Sequence, residues 1–169
     1  MKICKGKGIL IISLILLTGC NQRLASQAVK DAEIAIEEQL YNQASLLLHL
    51  AKVESSNIEY EALYEQSLHL IRMKEYKEAN NLDQILLAWT ELNLIPSHSD
   101  TIKDEAVRLI NQFLKEVEVE AKELLVMGNP KEIIDFIRLI ENRMGTFELF
   151  QPEIERLIEL RNQLEGAQV

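Results

Sequence analysis

An all-helical fold is what the 169-residue chain predicts, and three features predict it. Apolar residues recur at steps of three and four from about residue 25 onward, the period of one helix face. Glycine and proline are scarce there and stand at the ends of the periodic stretches: Pro96, Gly128, Pro130, Gly145 and Pro152. β-Branched residues nowhere alternate with polar ones, as a half-buried strand requires.

The spacing predicts a first helix over Ala25–Glu38, with Ala28, Ala32, Ala35 and Ile36 on one side. A second covers Leu40–Glu54. Its Leu46, Leu47, Leu48, Leu50, Ala51 and Val53 make it apolar nearly all round, the pattern of a helix sandwiched between others. Ser55-Ser56-Asn57 supplies a break with capping side chains. The third helix takes Ile58–Lys74, and the fourth takes Tyr76–Leu94 and stops before Pro96. After the loop Ser97–Asp100, Thr101 and Asp104 have the spacing of a capping box. The fifth helix carries Ile102, Ala106, Leu109, Ile110, Phe113, Val117, Ala121 and Leu124 as one stripe and ends at Gly128-Asn129. Pro130 opens a sixth helix in the position that suits proline, with Ile133, Ile134, Ile137, Ile140 and Met144 inward, and Gly145 stops it. Pro152 starts the last helix, which carries Ile154, Leu157, Ile158, Arg161 and Leu164.

The first twenty residues follow another logic. Lys2, Lys5 and Lys7 precede an apolar run from Ile9 to Leu17, and Leu17-Thr18-Gly19-Cys20 closes it. A charged start, a short apolar core and small residues read as a secretory signal. The run is too short to span a bilayer, which takes about 20 apolar residues. Its last four residues resemble the lipobox of bacterial lipoproteins. The resemblance implies cleavage before Cys20, a diacylglyceryl group on its thiol and an acyl group on its new amino terminus. It divides the chain into a signal peptide (1–19), a lipidated tether (20–26) and a helical domain (27–169). It places the protein on the extracytoplasmic face of the cell membrane, or on the outer membrane where the cell has one. No dissociable cofactor is implied, only the covalent lipid on Cys20.

Charge and cysteine content narrow the function further. Loss of residues 1–19 removes three lysines and no acid, taking the formal charge from −9 to −12. Such a balance excludes the basic patch that nucleic acid needs. Cys4 leaves with the signal and Cys20 is lipidated, so the domain has neither a disulfide nor a thiol for nucleophilic catalysis or metal ligation. His49, His69 and His98 form no recognised ligand pattern, and Glu65 with His69, four apart, is at most half of a metal site. Glu116, Glu118, Glu120 and Glu123 read as a solvated face. There is no Gly-rich phosphate loop and no Gly-x-Ser-x-Gly. Trp89 is a candidate interface anchor. We therefore expect no catalytic and no metal-ligating residue.

A faint repeat suggests how the helices are arranged. Tyr41-Asn42-Gln43-Ala44 recurs 35 residues later as Tyr76-Lys77-Glu78-Ala79, with Ala32 and Ser67 each nine before the tyrosine. A third copy falls on Pro130, with Ala121 nine before and Ile133 and Ile140 after. Helix pairs of this length loosely resemble tetratricopeptide repeats, although the step from Tyr76 to Pro130 exceeds one repeat. The resemblance implies antiparallel hairpins stacked as a short solenoid, the alternative being a compact helical bundle. It also implies a protein–protein interaction module whose partner is another envelope protein or peptide; the alternative function is a small-ligand or metal-binding bundle. In stacked hairpins the first helix of each pair lines the concave side. The repeat offsets then assign Val29, Glu33, Tyr64, Leu68, Glu118 and Lys122 to a partner-binding face.

Overall fold

Alanine spacing decides how the first hairpin closes. In the computed structural model, α1 runs Lys7–Glu37 and α2 runs Tyr41–Glu54. The structure describes residues 7–97, 99–127 and 130–166, with side chains from residue 21 onward, apart from 126 and 127. Ala25, Ala28, Ala32 and Ala35 are buried on α1, and Ala44 and Ala51 on α2. Side chains this small let two helices approach closely along their length. Residues 1–6, His98, the Gly128-Asn129 stop and the Cys20 side chain lie outside the described set.

The turn between them is a Schellman motif. Gln39 adopts φ 63°, its N–H donates to Ile36 O, and Leu40 N–H donates to Ala35 O. The late carbonyls of α1 are satisfied in this way. The same device ends α3 (Ile58–Glu78). Asn80 has φ 51°, Asn80 N–H reaches Lys77 O and Asn81 N–H reaches Tyr76 O. Asn81 Oδ1 then accepts from Gln84 N–H at 3.2 Å, opening α4 (Leu82–Leu94).

The remaining elements are α5 (Asp100–Met127), α6 (Lys131–Met144), a short 3-10 turn at Glu148–Phe150 and α7 (Gln151–Gly166). The described residues are helical apart from short turns, with no strand among them, and α1, α2, α3 and α4 pack in succession as antiparallel hairpins. The all-α hairpin stack expected from the apolar periods is the observed fold.

Two compact units result, Met1–Glu75 with Leu86–Ala106 and Tyr76–Ile85 with Val107–Val169. In the first, Leu48 and Tyr41 of α2 are buried along with Leu63, Leu70 and Met73 of α3. Lys52 binds Glu61 at 2.8 Å, tying α2 to α3. Tyr41 Oη donates to Glu105 of α5. In the second unit, Phe113 of α5 meets Phe136 of α6 edge to face at 6.1 Å. The isoleucines of α6 and Ile154, Leu157 and Leu164 of α7 are buried, and Arg161 of α7 pairs with Glu141 of α6.

Four expectations need correction. The residues read as a tether are helical, and Ala25 is fully buried, because alanine on the packing stripe continues α1 without interruption. Tyr76 does not open the fourth helix; it lies inside α3, and the break comes at Asn80-Asn81. The two hairpins therefore relate Tyr41 to Leu82, 41 residues apart, and the 35-residue offset is not a structural period. Thr101 sits inside the first turn of α5, which Asp100 opens, so it is not the cap. The second helix is not enclosed on all sides: Leu46, Leu50 and Val53 are exposed. At 100° per residue these three fall within a 60° stripe, the side of α2 that its neighbours leave open.

Candidate partner-binding surfaces

Where the six assigned residues lie can be built up from their helices. Val29 is half-buried against Ala25, Ala28 and Ala51. Glu33 and Leu68 are half-buried, on α1 and α3. Tyr64 is engaged by α2 on two sides. The His49 ring stands edge-on at 5.2 Å, and Lys52 Nζ lies 5.4 Å from the ring centroid, a cation–π distance. These four belong to the first unit, and Glu118 and Lys122 to the second. Glu118 is hydrogen-bonded by Lys122, with Arg156 at 3.8 Å. The Lys122 hydrogen bond holds the Glu118 carboxyl below the usual carboxylate range, opposed by partial burial and aided by the nearby positive charges. Val29, Tyr64, Glu118 and Lys122 thus already have contacts within their own units.

The structure adds a surface that the offsets did not pick out. Leu46, Leu50 and Val53 form a continuous apolar stripe on α2. Their i, i+4, i+7 spacing is the pattern of anchors in helix-in-groove recognition.

A second feature lies in the second unit. Glu116, Val117 and Glu120 of α5, Glu132, Ile133 and Phe136 of α6, and Asn80 line an open cleft of about 480 Å³. Its floor is apolar, since Val117 and Ile133 are buried. Its rim is acidic, and Lys77 binds Glu116 at 2.5 Å on that rim. The size falls in the range of ligand-binding clefts. Glu116 and Glu120 read in sequence as a solvated run. The signal for the cleft was their i, i+4 spacing on one helix face, followed after the turn by Glu132 in the first turn of α6.

The histidine candidate resolves differently from its sequence pairing. His69 Nδ1 lies 3.5 Å from Glu91 Oε2 across α3 and α4, an electrostatic contact rather than a good hydrogen bond. Burial, and secondarily Arg72, push the His69 pKa down, while Glu91 and Glu65 pull it up. Among the described residues no group of three His, Cys, Asp or Glu side chains is placed to hold a metal ion. Trp89 is half-buried on α4. Among the same residues no helix is long and apolar enough to cross a membrane. Compared with protein-family models, with curated proteins and with solved structures, the chain matches none.

Proposed function

We propose that the protein is a lipid-anchored binding module of the bacterial cell envelope, without catalytic activity, held by Cys20 on the extracytoplasmic face. The observation that carries this reading is the Leu17-Thr18-Gly19-Cys20 box, whose cysteine stands five residues ahead of Ala25, the first buried residue among the described side chains of α1. Two or more acyl chains suffice for stable attachment, each buried methylene contributing about 0.8 kcal/mol. The partner is another envelope protein or a peptide. Supporting this are a domain of helix hairpins, the apolar Leu46 and Leu50 left exposed on α2 and the lack of any recognised catalytic motif in the sequence.

The direct test is Cys20→Ser in cells fed a tagged fatty acid. The unchanged chain takes up label and fractionates with membranes; the variant loses both. Label persisting on the variant contradicts the reading. A second reading, binding of a small cationic ligand, is favoured by the cleft with its apolar floor and its Glu116, Glu120 and Glu132 rim. Saturable calorimetric titration with a cationic amphiphile, weakened by Glu120→Gln with Glu132→Gln, would select it.

A further inference from the structure

Cys20 and Ala25 lie on one continuous helix, so about 7.5 Å of axial rise separates the acylated residue from the first packed one. Ala25 and Ala28 pack on Ala51, and Val29 and Tyr60 close over them. The end of the first unit nearest the anchor is therefore built from the start of the packed part of α1, the end of α2 and the start of α3. Three large apolar side chains are exposed there, each within two residues of that cluster: Leu24 at 47%, Val53 at 66% and Ile58 at 80%.

We propose that this end of the unit is a bilayer contact surface, with Leu24, Val53 and Ile58 entering the boundary between headgroups and acyl chains beside the lipid on Cys20. The proposal rests on the anchored reading. Two observations make lipid the occupant. The surface adjoins the acylation site along one helix, about 7.5 Å of axial rise away, so the anchor brings it to the membrane. The charge there is also close to balance: Arg23, Lys30 and Lys52 stand against Asp31, Glu54, Glu59 and Glu61, and Lys52 is bound to Glu61. The rest of the mature chain therefore carries −11 of its formal charge of −12. Repulsion from anionic headgroups is weakest at this end, and apolar insertion does not depend on a basic face.

The test uses the full chain, made in bacteria and recovered lipidated. The mature form carries no cysteine besides Cys20, so Val53→Cys and Ile58→Cys accept a single environment-sensitive fluorophore, as does Asn42→Cys, an exposed reference in the first turn of α2. All three positions are accessible, so folding should be preserved. After reconstitution into phosphatidylcholine vesicles, nitroxide-labelled lipids should quench positions 53 and 58 several-fold more than position 42. Equal quenching at all three overturns the contact. Intact mass on the same sample separates the two readings: lipidated protein with equal quenching refutes only the contact, while unlipidated protein refutes the anchor. Efficient intermolecular disulfide formation by unlabelled Ile58→Cys on the vesicles would assign the face to a second copy of the chain and overturn the proposal.

Discussion

Gln66 shows how one buried side chain holds a loop in place. It is fully buried on α3, where an unpaired amide would be costly. Its Nε2 donates to Leu92 O and Ile95 O, each at 3.2 Å, and its Oε1 accepts from Ser97 Oγ at 2.5 Å. Leu92 and Ile95 lie at and just beyond the end of α4, whose last carbonyls have no partner within the helix. Gln66 therefore acts as a side-chain cap delivered from another helix, and Lys103 Nζ adds a bond to Ser97 O at 3.1 Å. Gln66→Leu keeps approximate size but strands the Ile95 carbonyl and the Ser97 hydroxyl, and leaves Leu92 O with only its bond from Ile95 N–H. It should cost about 1–3 kcal/mol, read as a lower urea midpoint; an unchanged midpoint would mean that water satisfies these groups equally well. Nothing in the sequence marked Gln66, since its role depends on a carbonyl 29 residues away. Cys20, in contrast, is marked by its immediate neighbours alone.

At the scale of elements, the stripes were legible and some of the punctuation was not. The α5 and α6 apolar positions read from spacing, such as Ile110, Phe113, Ile137 and Ile140, are buried, except Leu124, which is half-buried. Helices end visibly where glycine or proline ends them. Two of these helices end instead on Gln39 and Asn80, in the left-handed region where glycine is the usual residue. That substitution hid the second turn and let the Tyr41 and Tyr76 likeness pass for a period. It also predicts a measurable strain. Gln39→Gly should stabilise the chain by about 1 kcal/mol, and Asn80→Gly by less, because asparagine tolerates this conformation better. Thermal melts of both variants check the order; a loss at Gln39→Gly would contradict it. Burial of α2 was not legible either, because an apolar pattern cannot say how many of its faces find neighbours. The expected groove residues are tested by Tyr64→Ala with Leu68→Ser. Both are half-buried and Tyr64 packs on α2, so stability should fall by roughly 1–2 kcal/mol. The variant should still fold and recover less of a crosslinked partner from intact cells. Unchanged recovery from a folded variant would remove these residues from the binding face.

For the whole molecule, the account joins a cleavable acylation signal to a helical domain that begins to pack almost at once. Among the described side chains Ala25 is the first buried one on α1, so Asn21–Leu24 is all that separates the proposed lipid from the packed part of that helix. The proposed anchor would hold the protein close to the bilayer, where a partner in the same membrane would meet it at high effective concentration. Anchoring at Cys20 is the claim on which the location and the membrane contact both depend. Its most direct measurement is the intact mass and amino-terminal position of the protein extracted from membranes of the producing cell. The account predicts a chain that begins at Cys20 and carries the mass of a diacylglyceryl group, with or without an added acyl chain. A chain that still begins at Met1, or an unmodified Cys20 thiol, would contradict it.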